Sequence, residues 1–353
     1  MNTVIDNKSY KIHLTNNFEQ VLVQFIAINT YSAVVYLFDD NTHRLYGSTT
    51  YFKNKKIIII APGETNKNIT TCAAVWQQLL AHNADRNILL VNVGGGLVSD
   101  LGGFVASTYK RGVHFINIPT TLLACVDASI GGKTGINTID AKNMIGTFCN
   151  PQLVIIDTHF FNTLPQQELL SGFGEIIKHG LITNATYFDE CNNLNLNNTT
   201  LDWYPIIATS LHIKKNIVAQ DFEERNLRKT LNAGHTVGHA LETMLTNTST
   251  THYTHGECIA VGLLIEAYIA KQQQLLAAKD FIIIENCITK YYAVKNILSL
   301  INNWEAFNNT LYNDKKNTIG TINASLLTSI GTCQINSTIT THEIKNAIAH
   351  YCN

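Results

Sequence analysis

The chain has 353 residues, 45% of them hydrophobic and 14% charged, with a formal net charge of −1 and eight cysteines. This is a globular composition, enough for one large domain or two ordinary ones, and its near-neutral balance argues against nucleic acid as the main partner. No apolar run reaches the roughly 18 residues of a membrane span, and no two cysteines form a C-x-x-C pair, which argues against a zinc knuckle or disulfide framework and for reduced thiols in a cytoplasm.

At the start, MNTVIDNKSYKIHLTNN has no basic stretch followed by an apolar run, so no secretory leader is expected there. Short β-branched or apolar runs then recur: AVVYLF (33–38), KIIIIA (56–61), ILLVNV (88–93), HFINIP (114–119) and LVIID (153–157). Between the second and third, TTCAAVWQQLLAHN has helical spacing. Strands alternating with helices predict a mostly parallel sheet. Ten of the 21 glycines lie between Gly94 and Gly146, and no proline follows Pro205. The later part reads as long helices: PQQELLSGFGEIIKHGLI, YPIIATSLHIKKNIVAQD, GHTVGHALETML and GECIAVGLLIEAYIAKQQQLL. The change of pattern falls near 158–165 and divides the chain into 1–160 and 161–353. NNLNLNNTT (192–200) reads as a surface loop, and no repeat at a solenoid period is visible.

ILLVNVGGGLVSDLGGFVAS is an apolar strand, a glycine triplet and a helix-like run that contains Asp100. Such a turn lets the backbone approach a ligand and aims N–H groups and a helix dipole at it, which suits a diphosphate. A tight structural turn explains the glycines equally well when they are taken alone. APGETNK adds Glu64 and Lys67 after another strand, and IPTTLLACVDASIGGKTGIN adds Thr120, Thr121, Asp127 and Lys133 after a third. Polar groups gathered at several strand ends favour a nucleotide site. GGKTGIN is not a phosphate loop of the G-x-x-x-x-G-K type, because Asp127 stands where the first glycine belongs.

LNAGHTVGHALE places His235 and His239 four apart on one helix face. A zinc protease uses that spacing with Glu directly after the first His; here the position is Thr236. The acid must come from elsewhere. Glu175 in SGFGEIIKHG and His255 in THYTHGECIAVG each read alone as an ordinary polar residue. Together, Glu175, His235 and His255 are two imidazoles and one carboxylate from three helices, a donor set suited to catalytic zinc with one position open. His239 then lies one turn past the metal, placed to hold a phosphate or move a proton. Arg111, Lys133, Lys142, Lys178, Lys214, Arg228 and Lys316 supply cations near these segments. Most lysines are solvated surface charge, but EIIKHG and GGKTG set theirs in apolar or glycine-rich text, as a carboxylate- and phosphate-bearing substrate requires.

GGGLVSDLGGFVASTYKRG, IPTTLLACVDASIGGKTGIN, KNMIGTF, GFGEIIKHGLI, LNAGHTVGHALE and HGECIAVG, in that order, closely resemble the 3-dehydroquinate synthase family over residues 60 to 320. The resemblance implies an α/β Rossmann-like nucleotide-binding domain followed by an all-α metal-binding domain. It implies that Glu175, His235 and His255 hold a divalent metal, zinc or cobalt, and that His239 and Glu224 are acid–base groups. It matches Arg111, Lys133, Asn143, Lys178, Lys214, Arg228, Asn232 and, less closely, Lys316 to substrate contacts. It matches Asp39, Asn41, Glu64, Lys67, Gly95, Gly96, Asp100, Thr120, Thr121, Asp127, Lys133, Lys142 and Thr163 to NAD contacts. It further implies a cytoplasmic homodimer in which Arg111 serves the neighbouring subunit. Two departures stand out: Ser99 replaces a common glycine, and LTNTSTT lengthens the link before His255.

The implied substrate is 3-deoxy-D-arabino-heptulosonate 7-phosphate. The implied reaction is transient oxidation at C5 by NAD, β-elimination of phosphate, re-reduction, ring opening and an intramolecular aldol closure. Two rivals share the architecture: a metal- and NAD-dependent polyol dehydrogenase and a sister sugar phosphate cyclase. The first needs fewer phosphate-holding cations; the second would differ at Lys133, Asn232, His239 or Lys316. A non-catalytic metabolite-binding protein would have lost a metal ligand or a cationic contact, and none is lost.

Overall fold

The five runs predicted as strands form the body of a seven-stranded sheet in the computed structural model, which describes residues 2–7, 9–138, 142–248, 253–312 and 322–352, the side chains of 246–248 excepted. By internal contacts the chain divides into two units, 1–164 and 165–353. In chain order the strands of the first unit are β1 (Asn2–Asp6), β2 (Lys11–Thr15), β3 (Val34–Asp39), β4 (Lys56–Ile60), β5 (Leu89–Gly94), β6 (His114–Pro119), the separate antiparallel pair β7 (Lys133–Ile136) and β8 (Ile145–Phe148), and β9 (Leu153–Asp157).

Across the sheet the order is β1-β2-β9-β6-β5-β3-β4. All neighbours are parallel except β1 with β2. That edge hairpin is absent from the sequence reading, because short strands punctuated by Asp, Asn, Lys and His carry little apolar signal. β5 is buried at every residue, as a central parallel strand covered on both faces must be. The helices of this unit are α1 (Phe18–Ile28), the three-residue α2 (Asp40–Thr42), α3 (Ile69–Ala81) and α4 (Gly96–Thr108). Val75 and Leu79 of α3 and Val98, Leu101 and Val105 of α4 pack with Val35, Leu37, Ile58 and Leu90 of the sheet in one apolar cluster. Each such side chain contributes about 1.5–3 kcal/mol relative to exposure.

From β3 the chain steps to β4 on one side, then crosses to β5 on the other. The strand order therefore reverses between β3 and β5, and the C-terminal ends of those strands are where such sheets bind ligands. Asp39 ends β3 and Gly94 ends β5.

The second unit contains α5 (Gln166–Thr183), α6 (Ala185–Asn192), α7 (Trp203–Gln220), α8 (His235–Thr248), α9 (His255–Gln272), α10 (Ala278–Tyr291), α11 (Val294–Leu298), α12 (Trp304–Tyr312) and α13 (Thr341–Cys352). α9 is its spine: Gly256 to Ala267 are all buried except Glu257, and α5, α8, α10 and α13 pack around it. The unit is helical but corrects the all-α expectation in one place. β10 (Ile322–Ser329) and β11 (Thr332–Ile339) form an antiparallel hairpin turned at Gly331, φ +93°. Its signal was the alternating exposure of β11 and the turn glycine, which a proline-free reading took for helix. The Asn-rich stretch after Asn192 is turns and mostly exposed residues. No helix among the described residues is long and apolar enough to cross a membrane. All eight cysteines are free thiols.

Candidate metal centre and cofactor-binding loops

Close helix contacts made by glycine build the candidate metal centre. α5 is buried from Ser171 to Ile182, so Glu175 and Lys178, one turn apart, lie in the interior with 0% and 1% exposure. A buried carboxylate needs a cation, and Glu175 Oε2 pairs with Lys178 Nζ. A Cβ on Gly174 would lie 2.5 Å from the Gly256 carbonyl, and one on Gly256 would lie 1.8 Å from that of Ser171. Only glycine allows the start of α9, with His255, to approach α5 this closely. The same logic joins α8 to α9, where a Cβ on Gly262 would lie 2.1 Å from the Gly234 carbonyl.

Three donor atoms converge as a result. His235 Nε2 is 3.6 Å and His255 Nε2 is 3.7 Å from the same Glu175 Oε1. In a tetrahedron with bonds of about 2.1 Å, ligand atoms stand about 3.4 Å apart. The spacing fits a divalent metal. The outward nitrogens are held too: His235 Nδ1 lies 3.1 Å from the Ala233 carbonyl and His255 Nδ1 3.1 Å from Glu242 Oε2. Such outer partners fix the tautomer that presents Nε2. Burial works against a charged His255, but Glu242 and Glu175 outweigh it and push its pKa up to about 10. The site favours positive charge.

Donor atoms of His235, His239 and His255 also lie within 4.8 Å of one another, so geometry offers a second triad. The first is preferred on charge grounds. Glu175 is fully buried, and its carboxylate offsets part of the charge of a dication, which three neutral imidazoles do not. His239 lies beside the first triad, its ring 5.0 Å from that of His235.

Beside these helices, the loop after α7 is held by Asp221, which accepts N–H bonds from Arg225 (2.9 Å), Asn226 (2.7 Å) and Arg228 (3.0 Å). Within it Glu224 takes φ +63°, a strained value for a non-glycine residue, and its Oε1 accepts from Asn232 Nδ2 at 3.0 Å. Arg228, 2% exposed, donates through Nη1 to the Phe222 carbonyl at 2.5 Å. Lys214 is buried on α7. Burial raises the Asp221 carboxyl, but the three N–H groups and the Arg228 charge hold it below the usual range. A depressed pKa gives stability above the unfolded value, about 3.9, that is lost as pH falls through the folded value. Asp221→Asn is therefore expected to lower the denaturation midpoint at pH 7, with a smaller difference from wild type at pH 3. An equal difference at both pH values would refute the charge argument.

In the first unit the predicted cofactor residues fall into three groups. At the strand-order switch, Asp39 Oδ1 accepts from the N–H of Asn41 (2.9 Å) and Thr42 (3.0 Å), capping α2. A Cβ on Gly94 would lie 2.5 Å from Val98 Cγ2 and 3.2 Å from Asp39 Oδ2, and one on Gly95 3.1 Å from Thr121 Cγ2, so the turn leaves little room for side chains. Gly95 caps α4 without a side chain, Gly96 begins the helix, and Thr120 donates its N–H to the Gly94 carbonyl at 3.0 Å. In the second group Lys67, 4% exposed, pairs with Asp100 at 2.6 Å and lies 3.7 Å from Glu64. Asn137 bridges this group, donating to Glu64 Oε1 at 2.8 Å and accepting the Asn143 N–H at 2.9 Å. Burial raises the Asp100 carboxyl, Lys67 opposes it, and Asp127 adds to the rise. In the third, Thr163 bonds Tyr46 through their hydroxyls.

Lys133 opens β7 exposed, and Lys142 is half-buried. Arg111 stands apart, exposed at φ +67°, just beyond the far end of α4 and about 20 Å along it from the glycine turn. Lys316, and residues 249–252 of the lengthened link, lie outside the described residues. The sequence reading missed Asp221, Glu242 and Glu266. Glu242 was visible in principle, seven residues after His235 on the same helix face.

Comparison with known proteins shows the family and the fold. Residues 57–171 match the family model for the 3-dehydroquinate synthase N-terminal part and residues 172–317 that for its C-terminal part. The chain is 34% identical over 346 residues to 3-dehydroquinate synthase of Parabacteroides distasonis, with 97% of each chain covered. A solved 2-deoxy-scyllo-inosose synthase in complex with carbaglucose-6-phosphate, NAD+ and Co2+ shares the fold at a TM-score of 0.84, with 22% identity and 99% of both chains covered. The 2-epi-5-epi-valiolone synthase of Streptomyces hygroscopicus, with NAD+ and Zn2+ bound, does so at 0.81, with 22% identity over 99% of this chain and 98% of that one.

Proposed function

The chain belongs to the 3-dehydroquinate synthase family, and from that membership we propose that it converts 3-deoxy-D-arabino-heptulosonate 7-phosphate to 3-dehydroquinate and phosphate, a step of the shikimate pathway to aromatic amino acids. The observation that carries the reading is the approach of His235 Nε2 and His255 Nε2 to one buried oxygen of Glu175, at 3.6 and 3.7 Å. The first unit is the NAD-binding domain and the second the metal- and substrate-binding domain. When bound, NAD supplies a hydride acceptor that is regenerated in the same turnover, and zinc or cobalt supplies a Lewis acid.

The chain's own residues do the rest. Glu175, His235 and His255 hold the metal, and Lys178 holds the other oxygen of Glu175 so that one donor faces inward. His239 moves a proton at the substrate. Glu224, fixed by Asn232, is the second proton acceptor. Lys214 and Arg228, both buried, hold the anionic ends of the substrate, helped by Lys133, Asn143 and Lys316. The N–H groups at Gly95 and Gly96 take the NAD diphosphate. Asp39, Asn41 and Thr163 hold its adenosine side, and Glu64, Lys67, Asp100, Thr120, Thr121, Asp127 and Lys142 hold the rest. The protein works as a cytoplasmic homodimer, and the position of Arg111 beyond the cofactor groups supports a role toward the neighbouring subunit.

The test is one assay on purified protein with Zn2+ or Co2+, excess substrate and limiting NAD+, following phosphate and NADH together. Phosphate far in excess of NAD, with no NADH accumulating, is expected. NADH formed from simple polyols without phosphate release would move the chain to the dehydrogenases.

A further inference from the structure

The helix that carries His235 is capped by another helix. α8 starts at His235, and the residue before it, Gly234, has no side chain with which to satisfy the first N–H groups. Glu266, eleven residues past His255 on α9 and 2% exposed, takes that place. Its Oε1 accepts from the N–H of Thr236 at 3.1 Å and of Val237 at 3.2 Å, and its Oε2 accepts from Gly234 at 2.7 Å. A carboxylate at this point also faces the positive end of the α8 dipole.

These three bonds hold the segment that aims His235. Gly234 adopts φ +79°, open to glycine, and the Ala233 carbonyl before it lies 3.1 Å from His235 Nδ1. With the proton on Nδ1 donated to that carbonyl, the Nε2 lone pair faces Glu175. The close contact of Gly262 with the Gly234 carbonyl keeps α8 from sliding along α9. A single buried acid thus ties together the helices bearing two of the three metal donors.

We propose that Glu266 is a positioning residue of the metal centre, setting the tautomer and aim of His235 by capping α8 from α9. The proposal rests on Glu175, His235 and His255 being the metal donors. Glu266→Gln keeps the side chain's shape but turns an NH2 group toward backbone N–H donors. The experiment titrates Co2+ into metal-stripped full-length protein against a chromophoric chelator, with the visible Co2+ band recorded alongside the denaturation midpoint. Ile284→Ala, which empties a fully buried position on α10, shows what lost stability alone does to metal binding. Glu266→Gln is expected to bind Co2+ about 10–100-fold more weakly with an altered band, Glu266→Asp to recover part of that loss, and Ile284→Ala to bind as wild type does. If Glu266→Gln does not fold, Glu266→Asp carries the same readout, with weaker Co2+ binding and an altered band expected. Wild-type affinity and band in the folded Glu266 variant, or an equal loss in Ile284→Ala, overturns the proposal. Wild-type protein that binds no Co2+ overturns the metal reading beneath it.

Discussion

His235→Ala is expected to lose the metal and, with it, turnover. The site has three protein donors, and this variant removes one of the two imidazoles that approach Glu175 Oε1. Loss of an outer partner alone costs about 10–100-fold in metal affinity or activity, so loss of a donor must cost more. Without the metal, the fully buried Glu175 has Lys178 and His255 beside it, and Glu242 and Glu175 favour a proton on His255 in place of the metal. Metal content by atomic emission and phosphate release measure the two losses together. Full activity without bound metal would sink the metal assignment.

His239→Ala is expected to do the opposite. The metal stays, because Glu175, His235 and His255 are intact, while kcat falls by about 10²–10⁴, the usual contribution of a placed acid–base group. The contrast matters because the donor atoms of His239 and His235 are close enough for their roles to be exchanged. Metal loss in His239→Ala, with retention in His235→Ala, would mean that the two histidines have exchanged roles, and loss in both variants would point to the carboxylate-free triad. Metal content and kcat on one preparation of each variant decide the matter.

Much of the site was legible in the sequence because its chemistry is local. Spacing put His235 and His239 on one face, and the glycines of GFGE and HG stood beside the residues they serve. The parallel sheet was legible because β5 and its neighbours are apolar on both faces. The β1–β2 edge and the β10–β11 hairpin were not, since half-exposed strands mix polar and apolar residues. Asp221 and Glu266 act on backbone N–H groups, which no residue identity reveals.

The sequence by itself determined which residue types were available and which of them share a helix face or a strand end: the two imidazoles and one carboxylate, the glycine turn after an apolar strand, the cations set in apolar or glycine-rich text. Only the tertiary structure decided which oxygen of Glu175 meets the imidazoles and which meets Lys178, and that an acid on α9 caps α8. The physical reason is range. Periodicity and turn chemistry act over a few residues, whereas 3.6 Å between Glu175 and His235, 60 residues apart in sequence, depends on α5 and α8 each packing on α9 where a single Cβ would hold them away.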